Sequence, residues 1–218
     1  TRHLAGALAV GSEILATDLN DAMLNHAARV NGTLPGVSYS QADALDLPFD
    51  DGSFDAVVCQ FGIMFFPDKD KGMSEMSRVL KPGGTLALNV WDSFADNPAV
   101  GVIDGVIKGF FATDPPRFLE IPFGQIGVEQ GRSLFATAGF ESVDVAKVMN
   151  AIEVHDHDVP ARGFITGNPT ILEIEQRGGG EVELVVAAAR TALEHEFGPV
   201  PTKLSFQATV FLGQKSKA

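Results

Sequence analysis

At residues 54–60 the chain reads Phe54-Asp55-Ala56-Val57-Val58-Cys59-Gln60, a short run that is mostly apolar. It lacks the strict apolar-polar alternation that is typical of a strand with one face in water. Such runs are typical of parallel sheets, in which helices cover both faces of each strand. The stretch therefore predicts a fully buried strand at the centre of an α/β sheet.

The segments on both sides of this strand alternate between short apolar runs and helical periodicity. Further strands are predicted at residues 13–17, 37–41, 85–91, 142–148 and 202–212. Helices are predicted around residues 23–30, 73–80, 133–138 and 182–193. This alternation favours crossover units on a mostly parallel sheet, in a single domain of residues 1–218.

Between residues 93 and 132 the pattern loosens into segments that contain Phe, Pro and Gly, including Phe110-Phe111 and Pro115-Pro116. Loops of this kind often cover binding sites. We expect residues 93–132 to cover a substrate, together with part of residues 161–180.

Composition excludes several classes of partner. The 218 residues contain 16 Lys plus Arg and 28 Asp plus Glu, a formal net charge of -12, which repels the phosphate backbone of a nucleic acid. No apolar window is long enough for a membrane span. The single cysteine, Cys59, cannot form an internal disulfide, which favours the cytoplasm. We expect a small-molecule partner, no nucleic acid and no membrane, with a homodimer as one option.

Asp18 directly follows the predicted strand at residues 13–17. A carboxylate at the carboxyl end of a parallel strand can accept hydrogen bonds from both ribose hydroxyls of a nucleoside cofactor. The alternative is that Asp18 caps the helix that follows, although Asn20 and Asp21 are also suitable caps. From this residue alone the two interpretations are about equally supported.

Four segments together resemble a known family. They are Ala16-Thr17-Asp18-Leu19-Asn20, residues 41–49, residues 51–58 and Arg78-Val79-Leu80-Lys81-Pro82-Gly83-Gly84. In this order and spacing they resemble class I S-adenosylmethionine-dependent methyltransferases, particularly the group similar to the quinone-biosynthesis methyltransferases. The resemblance is strong over residues 1–91 and holds only in outline beyond. A match in several parts is more specific than one short motif.

The resemblance implies a Rossmann-like, doubly wound, seven-stranded and mostly parallel sheet whose last strand, residues 202–212, is antiparallel. In this family the first strand leads into a glycine-rich loop, and a helix that begins much like Thr1-Arg2-His3-Leu4-Ala5 follows. We therefore expect that strand and loop to precede Thr1.

The resemblance also implies a set of contacts to S-adenosylmethionine. Asp18 would hold the ribose hydroxyls, while Leu19 and Met23 would pack on the adenine. Asp43 would accept from the adenine amino group, and the Ala44 amide would donate to a ring nitrogen. Each assignment has a plainer alternative, because Asp43 suits a turn and Leu19 suits a core.

Residues after the central strand are assigned to the reacting end of the cofactor and to the acceptor. Gln60 and Phe61 would lie near the methionine part, although Phe61 also suits simple packing. Met64, Phe65 and Trp91 would form an apolar acceptor pocket. Methyl transfer needs alignment and exclusion of water more than a dedicated base, so no catalytic residue is assigned.

The expected activity is methyl transfer from S-adenosyl-L-methionine to a small molecule, with S-adenosyl-L-homocysteine as product. No metal is predicted, because the alternating histidines of His155-Asp156-His157-Asp158 lack a clear third ligand and suit a solvated loop. Cys59 is expected to be a small buried apolar residue.

Two alternatives stay open. A non-catalytic protein of the same fold would keep the nucleoside site without methyl transfer. An NAD-dependent oxidoreductase is the weaker alternative. Tyr39, the single tyrosine, is followed four positions later by Asp43, so the Tyr-x-x-x-Lys pair of short-chain dehydrogenases is missing.

Overall fold

The computed structural model describes residues 1–124, 126–178 and 180–217, which form a mixed α/β fold. The helices are α1 Arg2–Ala7, α2 Asp21–Asn31, α3 Lys69–Val79, α4 Pro98–Gly109, α5 Val128–Thr137, α6 Asp158–Thr166, α7 Thr170–Arg177 and α8 Val182–Phe197. The strands are β1 Ile14–Asp18, β2 Val37–Gln41, β3 Phe54–Gln60, β4 Leu80–Trp91, β5 Phe140–Val154 and β6 Thr202–Lys215. Two short 3₁₀ turns cover Ile63–Phe65 and Phe118–Glu120. None of these helices combines the length and apolar character needed to cross a bilayer.

The strands of the described residues form two sheets. In the first, β1 pairs in parallel with β2; in the second the order is β3-β4-β6-β5. Strands β3 and β4 are parallel, whereas β6 runs antiparallel to both β4 and β5. The α/β class and the antiparallel last strand are therefore confirmed. The parallel pairs β1-β2 and β3-β4 are separate, and no strand among the described residues lies between β1 and β3.

The prediction that residues 54–60 form a fully buried central strand is wrong in part. The strand is present, but β3 is the edge of its sheet and Val58 is 51% exposed. The reason is that β3 pairs with β4 on one side only, and its other side borders a cavity. The apolar composition of β3 is therefore only partly used for burial.

The helix boundaries follow local capping chemistry. The Asn20 side chain accepts from the Ala22 amide and caps α2, and Asp68 caps α3 by accepting from the Lys71 amide. Helix α3 ends at Val79, and β4 begins at Leu80, five residues earlier than predicted. Leu80 is buried at the start of the strand, in the same core cluster as Met73 and Met76, with which the helical pattern had grouped it.

Residues 93–132 are more ordered than the sequence pattern predicted. They include the twelve-residue helix α4, whose Val100, Ile103 and Ile107 are buried. These side chains belong to a core cluster that also contains Val185 and Leu193 of α8. Gln125 lies outside the described residues. The proposed role of this segment in covering a substrate stays a prediction.

A buried polar network connects β4, β6 and the start of α4. The Asn97 amide nitrogen donates to the carbonyls of Asp92, Ser93 and Gln207, each at 3.1 Å, and its oxygen accepts from the Gln207 amide at 2.9 Å. The Asp92 carboxylate, at the end of β4, accepts from the side chains of Gln207 and Thr209. These bonds fix the point where the chain leaves the sheet after Trp91.

We predict that Asn97→Ala lowers the free energy of unfolding by about 3 kcal/mol. The substitution removes the side-chain donor to the Asp92 carbonyl and the side-chain acceptor of the Gln207 backbone N–H. The carbonyls of Ser93 and Gln207 keep backbone donors, so two buried groups lose their partners, and each such group costs about 1–3 kcal/mol. Urea denaturation monitored by circular dichroism measures the change. The matched control is Asn25→Ala, which removes only an exposed hydrogen bond to Asp21 and should cost less than about 0.5 kcal/mol. Equal losses in the two variants would contradict the structural role of Asn97.

Candidate functional site

A cavity of about 580 Å³ lies between β1 and β3; it extends along β3 from Phe54 to Gln60 and includes the carboxyl ends of both strands. It is lined by the end of β1, the loop after β2, much of β3 and the segment that follows β3. The predicted residues that it brings together are Asp18, Leu19, Asp43, Ala44, Gln60, Phe61 and Phe65. Ligands of open α/β sheets bind at this edge of the sheet.

Asp18 is the last residue of β1 and is exposed at the cavity. One carboxylate oxygen, Oδ1, accepts from the Asn20 amide at 2.8 Å, and Oδ2 has no protein partner among the described residues. The cap of α2 is Asn20. The capping alternative for Asp18 is therefore wrong, and this carboxylate has an oxygen free to accept from a ligand.

Leu19 is 65% exposed although it is apolar. It lines the cavity beside Asp18, so the alternative that Leu19 is a core residue is wrong. Its backbone carbonyl accepts from the Gln41 side chain at 2.8 Å, which ties the end of β1 to the end of β2. An exposed leucine held in place next to a carboxylate suits an apolar ring beside polar groups.

Asp43 and Ala44 begin the loop after β2. The Asp43 carboxylate accepts from the Leu45 amide at 2.8 Å, so Asp43 also has the turn role that its alternative assignment predicted. Asp43 is exposed and Ala44 is half-buried at the cavity wall. The Ala42 amide donates to the Asp18 carbonyl at 3.1 Å, which keeps the two acidic residues at the same edge.

Phe61 follows β3 in a backbone conformation that is rare for any residue except glycine, with φ at +52°. Its amide donates to the Asn89 carbonyl at 3.2 Å, and its ring stacks on Trp91 with centroids 4.3 Å apart. Backbone strain at the end of a strand is typical of functional sites. The packing role of Phe61 and its position at the cavity are thus both present.

Three predicted site residues do not line the cavity. Met23 is exposed on α2, Met64 is buried in the core, and Trp91 contacts the cavity only through Phe61. Phe65, which does line it, is 47% exposed and stacks on Phe118 at 5.9 Å. The acceptor contacts of Met64, Phe65 and Trp91 stay predictions.

The sequence interpretation gave no role to Arg78, although Arg78 lies in the quoted segment 78–84. Its guanidinium donates to the Leu47 and Phe49 carbonyls, to Asp51 and to Glu75. Glu75 in turn accepts from the Leu47 amide at 2.8 Å. Leu47 and Phe49 line the cavity, so Arg78 and Glu75 hold one of its walls in place through the backbone of these residues.

The remaining candidates are placed as follows. Cys59 also lines the cavity, where burial raises the pKa of its thiol and makes the thiolate scarce. His157 is buried, and its Nε2 lies 2.9 Å from the Gly198 carbonyl, so the prediction of a solvated loop is wrong at this residue. Across the described ranges no group of three or more His, Cys, Asp or Glu is arranged to hold a metal.

Several known proteins are similar in sequence to this chain. Residues 1–88 match a family described as the methyltransferase domain. The ubiquinone/menaquinone biosynthesis C-methyltransferase of Idiomarina loihiensis is 46% identical over 79 residues, which are 35% of this chain and 32% of the relative. The demethylmenaquinone methyltransferase of Staphylococcus carnosus is 38% identical over 159 residues, 66% of this chain and 64% of the relative. The chain thus spans between about a third and just under two thirds of these relatives.

Solved structures share the fold at low identity. A phosphoethanolamine N-methyltransferase of Haemonchus contortus, solved with S-adenosylhomocysteine, has a TM-score of 0.56 at 17% identity and covers 99% of this chain and 46% of that chain. The cyclase SpnF has a TM-score of 0.55 at 17% identity, and the match covers 99% of this chain and 71% of the SpnF chain. These structures confirm the Rossmann-like fold. The sequence relatives confirm the resemblance to class I S-adenosylmethionine-dependent methyltransferases.

We predict that Glu75→Gln lowers the free energy of unfolding by roughly 2 kcal/mol at pH 7, because charge-assisted hydrogen bonds to Arg78 are lost. The hydrogen bond from Arg78 lowers the pKa of Glu75 from about 4.5 to about 2. A lowered pKa means that the carboxylate stabilises the fold fully above about pH 4.5 and progressively less as the pH falls towards 2. The difference between the two proteins should therefore shrink over that interval.

Urea denaturation at several pH values between about 2.5 and 7 measures this difference in stability. Glu13→Gln is the control, since Glu13 is exposed and its replacement should change stability by less than about 0.5 kcal/mol. A difference for Glu75→Gln that stays constant with pH would contradict the ionic role of Glu75.

Proposed function

We propose that this protein is an S-adenosylmethionine-dependent methyltransferase that acts on a small-molecule acceptor. The observation that carries the proposal is the placement of Asp18 and Asp43. Asp18 ends β1, Asp43 follows the end of the adjacent parallel strand β2, and both carboxylates line the same cavity as Leu19 and Phe61. The sequence relatives support the same activity.

The cavity suits an adenosine group by its donor and acceptor set. Asp18 has a free oxygen for ribose hydroxyls, and Asp43 offers an acceptor for the exocyclic amine of adenine. Leu19 provides an apolar contact for the ring between them. A cavity of about 580 Å³ lies within the usual range for small-molecule sites.

Bound S-adenosylmethionine supplies an electrophilic methyl group on a sulfonium centre. In our proposal Gln60 and Phe61 position the methionine part, and Trp91 holds the Phe61 ring by stacking. The chain then contributes alignment and exclusion of water, which can account for most of such an acceleration. The raised pKa of Cys59 argues against a thiolate nucleophile in this cavity.

We further propose that the acceptor is a demethylated quinone ring and that the new bond is to carbon. The two relatives are named for methylation in menaquinone and ubiquinone biosynthesis. The exposed Phe65, stacked on Phe118, offers an aromatic surface beside the cavity for a flat ring. Methyl transfer to a ring carbon ends with loss of a proton from that carbon.

A second candidate function is a different reaction in the same fold. The shared fold includes the cyclase SpnF, so fold alone does not establish methyl transfer. Formation of S-adenosylhomocysteine distinguishes the two, because only methyl transfer produces it.

We predict that S-adenosylhomocysteine binds saturably to the purified full-length protein and that Asp18→Ala weakens binding about 100-fold. Two charge-assisted hydrogen bonds to ribose would together contribute about 3 kcal/mol. Isothermal titration calorimetry measures the affinities, with NAD as a competing ligand that should not bind. Asp21→Ala is the matched control, because Asp21 is exposed nearby on α2 outside the cavity. Equal affinities for Asp18→Ala and the unchanged protein would sink the assignment.

We also predict methylation of a demethylated naphthoquinone in its reduced form. Incubation with S-adenosylmethionine should give equal amounts of methylated quinone and S-adenosylhomocysteine, measured by mass spectrometry. Phe65→Ala should raise the KM for the quinone about tenfold through loss of a stacking contact, without changing cofactor affinity. Cofactor binding without any quinone product would refute this acceptor and leave the cofactor site intact.

A further inference from the structure

Strand β5 forms one edge of the four-stranded sheet, and β3 forms the other. It extends over Phe140–Val154 and pairs with β6 along its whole length. No strand pairs with its other edge within residues 1–124, 126–178 and 180–217. Near its start, the Val143 carbonyl accepts from Arg132 at 2.9 Å, so the free edge is the part beyond Val143.

This edge is unusually open. Residues 146–153 are all exposed, whereas the β6 partners of residues 146–152, which are residues 204–210, are buried or half-buried; Lys203, the partner of Glu153, is exposed. The exposed residues include Val148 at 51%, Met149 at 66% and Ile152 at 49%. A long edge with apolar side chains on both faces is a ready template for another strand, and folded proteins normally protect such edges.

We propose that β5 pairs with β5 of a second copy of this chain, antiparallel and about a two-fold axis at Asn150. Two-fold symmetry requires a self-complementary strand, in which each residue meets its counterpart at an equal distance beyond the axis. This register places Val148 opposite Ile152 of the partner subunit and Met149 opposite Ala151 of the partner subunit. The exposed apolar side chains of each copy then bury one another.

Charge selects this register over its neighbours. With the axis at Asn150, Lys147 lies opposite Glu153 of the partner subunit, and the same pair occurs twice per dimer. An axis at Met149 places Glu153 opposite Val145, and an axis at Ala151 places it opposite Met149. Within one copy, Lys147 Nζ lies as far as 3.9 Å from the Asp92 carboxylate, and Glu153 pairs with the exposed His155. Both charged side chains are therefore available to pair with a partner subunit. Opposite charges across a strand pair stabilise it, and like charges destabilise it.

Charge reversal tests the register by sedimentation velocity at physiological salt. The unchanged protein should be dimeric at micromolar concentration. Lys147→Glu and Glu153→Lys should each weaken dimerisation about tenfold or more, since each reversal makes two repulsive pairs. The double variant, K147E with E153K, restores two attractive pairs and should recover the dimer. Arg190→Glu and Glu175→Lys, exposed on α8 and α7, are the matched controls and should dimerise normally.

A cysteine placed on the axis gives a second readout. In a Cys59→Ala background, Asn150→Cys should cross-link to itself under mild oxidation, whereas Ala151→Cys should not, because it faces Met149 of the partner subunit. A protein that stays monomeric at roughly 100 μM would overturn the proposal, because stable interfaces of standard size associate at lower concentrations. Unchanged dimerisation of both single variants would overturn the proposal as well. So would a double variant that does not recover the dimer.

Discussion

The parallel pairing of β1 with β2 is the constraint on which the candidate site depends. Asp18 pairs with Gln41, so both strands end at the same level of the sheet. The amide of Ala42 and the side chain of Gln41 then bond back to Asp18 and Leu19. Two acidic residues 25 positions apart in the sequence are thereby brought to one cavity.

The remaining walls are held from outside the cavity. Arg78 and Glu75 of α3 fix the loop that contains Leu47 and Phe49, through hydrogen bonds to its backbone rather than to its side chains. Trp91 of β4 fixes Phe61 by stacking, and the buried network around Asn97 fixes the chain just after Trp91. Residues that do not line the cavity therefore help to fix the positions of those that do.

Much of this arrangement could be predicted from the sequence, because short strands and capped helices depend on local chemistry. Asp18, Asp43 and Phe61 were assigned through the resemblance of several segments to a known family, and the structure brings them to one cavity. The exposure of β3 was missed because an apolar run shows only that a strand is suited to burial. Actual burial depends on the neighbouring elements, and β3 has a neighbouring strand on one side only. Helix α4 was missed because it begins with Pro98 and contains Gly101, Gly105 and Gly109, residues that are typical of loops. The role of Arg78 was missed because the two carbonyls that it binds, those of Leu47 and Phe49, lie about 30 residues away in the sequence.

The most direct test of the central claim is a crystal structure of the full-length protein with S-adenosylhomocysteine. The account predicts ribose hydroxyls within about 3 Å of the Asp18 carboxylate and the adenine amino group within about 3 Å of Asp43, as hydrogen bonds require. The adenine ring should lie against Leu19, and the homocysteine part should approach Phe61. A ligand bound elsewhere, or bound in this cavity without contact to Asp18, would contradict the account.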